Sequence, residues 1–185
     1  MEYPSFLIEE AVKQISRLPG IGKKTALRLA LHLLKQEELD TEQLSDALLR
    51  LRRETQYCAT CHVISHTTDC TCRTIKTDVS VICVVEDTPD VMAIRNTGQY
   101  NGMFHVLGGV ISPLDGIGPE DIHIDSLIKR VKESGGEIKE IILAISPTME
   151  GDTTAFYITK KLKEFNLKVT TIARGIPIGG ELEYT

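Results

Sequence analysis

The chain has 185 residues, 42% of them apolar and 25% charged, with a net charge of −5. That balance belongs to a globular protein and excludes a disordered polymer, and the length suits one domain or two small ones. Apolar runs such as 81–85 are far too short to cross a bilayer, and Met1-Glu2-Tyr3-Pro4 opens no signal peptide, so a cytoplasmic protein is expected.

Ser5 is a plausible cap for a first helix, on which Ile8, Ala11, Val12 and Ile15 recur at helical spacing. Residues 11–36 contain no Asp or Glu but carry Lys13, Arg17, Lys23, Lys24, Arg28 and Lys35. The window therefore holds +6 within a chain of −5, leaving −11 for the remainder. Such segregation marks a surface for a polyanion. At its centre, Leu18-Pro19-Gly20-Ile21-Gly22 separates two helical patterns, the second carried by Leu27, Ala30, Leu31 and Leu34. Pro19 stops the first helix, and Gly20 and Gly22 permit positive φ and close approach of another backbone. The second helix then begins with unpaired N–H groups and a partial positive charge. The pattern reads as a helix-hairpin-helix in which the Gly20 and Gly22 amides clasp a DNA phosphate while Lys23, Lys24 and Arg28 supply the salt-dependent attraction. An ordinary helical hairpin with a solvated basic face is the plainer alternative.

Asp40 or Thr41 is expected to cap a third helix with an apolar stripe of Leu44, Ala47, Leu48 and Leu51. Arg50, Arg52 and Arg53 at its end suit the negative helix terminus. Residues 1–54 thus form an all-helical module.

Four of the five cysteines fall within residues 58–72. In a reducing compartment such clustering points to a metal before disulfides. Cys58-x-x-Cys61, a polar loop and a second pair, Cys70 and Cys72, resemble the ligand set of a structural zinc in a module over 55–77. The second pair is one residue short. Three outcomes fit: a strained four-thiolate site, a site in which His62 or His66 replaces one thiolate, or a loop without metal.

From residue 78 strands and helices alternate. Strands are expected over 79–85, 104–107, 138–145 and 168–173, with Cys83 in the core. Helices are expected to open at Thr88-Pro89 with Thr88 as cap, and to run over 121–134 and 153–165. Repeated βαβ units of this kind give an open parallel sheet with helices on both faces, and an α/β protein overall. Functional groups collect at the carboxyl ends of such strands, and here that edge carries Glu86, Asp90, Glu150 and Asp152. Those acids could hold Mg²⁺, cap helices, or dock a basic partner protein.

The stretches LPGIGKKTALRLALHLL, VVEDTPDVMAI, NGMFHVLGGVISPLDGIGP, AISPTMEGDTTAFYI and TTIARGIPIGGELEY closely resemble the RecR family of bacterial recombination mediators along essentially the whole chain. The resemblance implies a Toprim domain over 78–185 and a DNA clamp without turnover chemistry. It implies dimers assembling into tetrameric rings, and action with RecO and RecF to load RecA on single-stranded DNA. It places DNA contact on Lys23, Lys24 and Arg28, and zinc on Cys58, Cys61, Cys70 and Cys72. Contact with RecO would fall to Glu86, Asp90, Glu150 and Asp152, and Mg²⁺ there is not expected to be catalytic. A DNA partner implies association with the nucleoid. Arg73 stands where the family's fourth cysteine is expected, and relatives continue past Thr185 into a further segment. The rival readings are a Mg²⁺-dependent Toprim nuclease or phosphotransferase and a pure protein adaptor.

Overall fold

The computed structural model describes residues 3–65, 70 and 77–173, which divide into two compact units, Met1–Thr55 and Gln56–Thr185. Among the described residues, no helix is long and apolar enough to cross a membrane.

In the first unit, α1 (Phe6–Ile15) starts at Ser5, whose hydroxyl accepts from the Leu7 amide at 3.2 Å. It packs on α2 (Lys23–Leu33) through a small core of Val12, Ala26 and Ala30, flanked by Ile8, Ala11, Ile15, Ile21 and Leu27. The apolar stripe expected on α2 is corrected here. Ala30 is buried and Leu27 packs against the core as expected, but Leu31 and Leu34 are exposed, and Ala26, small enough for close helix approach, is buried in their place. The third helix, α3 (Glu38–Glu54), begins before Asp40 and Thr41; Glu37 occupies the cap position without a side-chain bond. No residue of α3 is buried, so Leu44, Leu48 and Leu51 face outward in the single chain.

The second unit opens with a small antiparallel pair, β1 (Gln56–Tyr57) and β2 (Ile64–Ser65), which flanks the first two cysteines. Next come β3 (Asp78–Val85), α4 (Thr88–Asn96), β4 (Gly102–Val106), α5 (Ile124–Glu133), β5 (Glu140–Ala144), α6 (Met149–Leu162) and β6 (Lys168–Thr171). All four long strands are parallel, in the order β4-β3-β5-β6, with Val85 opposite both Val106 and Ala144. Crossover helices must cover such a sheet, and the alternation of side chains sorts its residues between two cores. Ile82, Val84, Met103, Ile141 and Leu143 pack under α5 and α6. Cys83, Val85, Phe104 and Val106 pack with Val91 of α4 and with Cys58, Cys61 and Val63. The cysteine hairpin is therefore built into the sheet's second layer.

Candidate nucleic-acid interface and metal centre

The turn between α1 and α2 is closed by the Ile21 amide, which donates to the Leu18 carbonyl at 3.1 Å. Gly20 lies at φ 76, a left-handed conformation that disfavours any side chain. Gly22 does not use that freedom. It sits at φ −79 as the cap of α2 and offers no side chain to the helix's first amides. The first bond of the helix runs from the Ala26 amide to the Gly22 carbonyl, so the amides just before Ala26 lack intrahelical acceptors. A Cβ placed on Gly20 or Gly22 would meet nothing within 4 Å, so the space over both is open. Helix starts favour acids, yet this one has none in its first turn and carries exposed Lys23 and Lys24 instead. Along α2 runs a groove of about 560 Å³ with Lys24, Arg28, His32 and Lys35 on its walls. Arg50, by contrast, is tied to Glu54 through contacts of 3.0 and 3.2 Å.

Cys58, Cys61 and Cys70 bring their sulfurs within 4.8 Å of one another, with Cys61 and Cys70 at 3.5 Å. Four thiolates around a tetrahedral zinc with bonds of about 2.3 Å stand roughly 3.8 Å apart, so the donors present fit that ion. Cys58 and Cys61 are free thiols. Burial opposes the Cys58 thiolate, but the amides of Cys61 and Thr60 outweigh it and hold its pKa below that of an ordinary thiol. Burial pushes the Cys61 thiol up to about 11, which a bound cation would reverse. Cys72, His66 and Arg73 lie outside the described residues. His62 does not join the sulfurs. Its ring packs against His105 and His123 instead. Nothing in the sequence signalled that histidine cluster, whose members lie up to 61 positions apart.

Glu86 and Asp90 at the carboxyl edge are held by backbone amides. Glu86 accepts from the Ser146 amide and so links the ends of β3 and β5. Asp90 accepts from the Asp87 amide at 3.0 Å, as half of a capping box in which Asp87, not Thr88, is the cap. Glu150 and Asp152 do not precede a helix but fall in the first turn of α6, which is capped by Thr148 accepting from Gly151. Among the described residues, the cysteines are the group whose ligand atoms converge as a metal requires.

The comparisons with known proteins agree with both units. Residues 8–51 match the RecR helix-hairpin-helix and residues 80–173 match the Toprim domain. A helix-hairpin-helix joined to a Toprim sheet defines a DNA-associated protein of recombination and repair. Over 185 residues the chain is 60% identical to Recombination protein RecR of Cytophaga hutchinsonii, covering all of this chain and 90% of that relative. The same-named protein of Amoebophilus asiaticus is 58% identical over 100% of this chain and 92% of its own length. That of Phocaeicola vulgatus is 56% identical over 100% and 89%. The chain belongs to the RecR family, and its role is that of a recombination mediator in DNA repair.

Proposed function

We propose that the chain holds DNA by the turn and first residues of α2, with Gly20, Gly22, Lys23, Lys24 and Arg28 in contact with the phosphate backbone. One observation carries this. A helix start with open amides, no side-chain cap and two lysines in place of acids has a positive potential that nothing in its own helix offsets. A phosphate supplies the missing charge. Contacts of this kind position DNA without reading its sequence. Several copies arranged as a ring around DNA sum these contacts, which reconciles an acidic chain with a nucleic-acid partner. The acids Glu86, Asp90, Glu150 and Asp152 form a negative docking edge for a basic partner of the RecO type, in an assembly with RecF that loads RecA on single-stranded DNA. Zinc on Cys58, Cys61, Cys70 and Cys72 is structural, and the chain performs no turnover chemistry.

The test is titration of the Lys23/Lys24/Arg28→Ala triple variant with single-stranded DNA at several salt concentrations. Binding should be lost or strongly weakened, and the slope of log K against log salt should flatten by about 0.7 for each phosphate contact removed. Unchanged affinity and slope would overturn the DNA assignment. DNA cleavage with Mg²⁺ that disappears in Glu86→Gln would overturn the non-catalytic one.

A further inference from the structure

The edge strand β4 is gripped from both faces by the cysteine hairpin. The outward Val106 amide donates to the Cys61 carbonyl at 2.9 Å, so the hairpin takes the place of a next strand and covers an edge open to wrong pairing. Cys58, Cys61 and Val63 pack with Phe104 and Val106 on the α4 side. His62 goes the other way. It is the one non-glycine residue with positive φ among the described residues, at φ 58, a conformation that persists only where the surroundings over-determine it. The surroundings here are specific. Its ring lies flat on His123, with centroids 3.6 Å apart and planes 7° apart, and meets His105 edge-on at 5.3 Å. Its Nε2 stands 2.8 Å from the Ser126 hydroxyl of α5. His105 itself is buried in β4, and His123 immediately precedes α5.

We propose that His62 is the latch of the metal knuckle: by gripping His123 and Ser126 across the β4 edge, this positioning residue holds Cys61 as a zinc ion requires, so that metal occupancy and closure of the edge are one event. The inference rests on reading the cysteines as a zinc centre. His62 is not one of the converging ligands, yet groups that orient ligands without touching the metal commonly govern about ten- to hundred-fold of its affinity.

The test uses the full chain, reduced and loaded with zinc. Three readouts apply: metal content, zinc affinity by competition with a chromophoric chelator, and hydrogen exchange at the Val106 amide. His62→Ala and His62→Gly should both bind zinc roughly ten- to hundred-fold more weakly. Both should also speed exchange at Val106 while leaving the amides of α1 and α2 unchanged. The glycine variant is the sharper one, because it relieves the left-handed backbone and removes only the ring. Zinc affinity in His62→Gly equal to or above that of the parent would overturn the latch while leaving the zinc centre intact. A parent chain that retains no zinc would overturn both. Should the His62 variants fail to fold, Ser126→Ala decides: weaker zinc binding supports the latch, and unchanged affinity overturns it.

Discussion

His105 is a neutral imidazole held inside a sheet. Its Nε2 lies 2.9 Å from the His123 carbonyl and so carries the proton, while Nδ1 has no partner in the interior. Burial pushes its pKa down to about 3. An unfolded chain would take a proton on this ring near pH 6.5, before the folded one does. Stability from this group is therefore complete above about pH 6.5 and drains as pH falls toward 3, by up to about 1.4 kcal/mol per pH unit. Urea unfolding at a series of pH values between about 5 and 7 should show that slope, and His105→Gln should flatten it by one proton. Equal slopes in both chains would place the acid sensitivity elsewhere. Gly151 makes a second point at this scale. A Cβ there would run into the Ser146 carbonyl, which is backbone and has little room to retreat. Gly151→Ala should cost about 1–3 kcal/mol and lower the melting temperature. The acids on either side of Gly151 were visible in the sequence as a cluster. That the residue between them must be glycine follows only from the packing of α6 on the chain after β5.

Helix α4 shows what an element-level reading catches and misses. The alternation of strand and helix, and the proline and the acid in the first turn, were all legible. The cap itself slipped by one residue, because Asp87 and Thr88 are both good N-caps and only the turn out of β3 chooses between them. Asp87→Ala should cost about 1 kcal/mol by chemical denaturation. Asp90→Asn keeps an oxygen for the Asp87 amide but loses the charge. It should therefore leave stability nearly unchanged while weakening the binding of a basic partner protein, which calorimetry can measure. A large loss of stability in Asp90→Asn would assign the acid to the helix alone. In α3 the spacing sets Leu44, Leu48 and Leu51 on one face, and all three are exposed in the single chain. Helical period reports which residues share a face and is silent on what that face meets.

At the scale of the whole molecule, every cysteine lies in the second unit, and the cysteine hairpin is part of that unit's core. Stripping zinc from the reduced chain with a chelator should lower the melting temperature of the second unit and leave that of the first unchanged. A shift shared equally by both would contradict the division. The sequence alone determined the basic acid-free window, the glycine turn, the paired cysteines and the parallel sheet with its acidic edge. Each of these is written in local composition and short spacing, which is all a periodic pattern can carry. Tertiary structure alone decided that Ala26 joins the helical core and that Glu86 reaches the Ser146 amide. It also decided that His62, His105, His123 and Ser126 meet around one strand edge. The histidine meeting depends on the register of β4 and on the connection that carries the chain from β4 to α5. It joins positions too far apart in the chain for any local signal to link them.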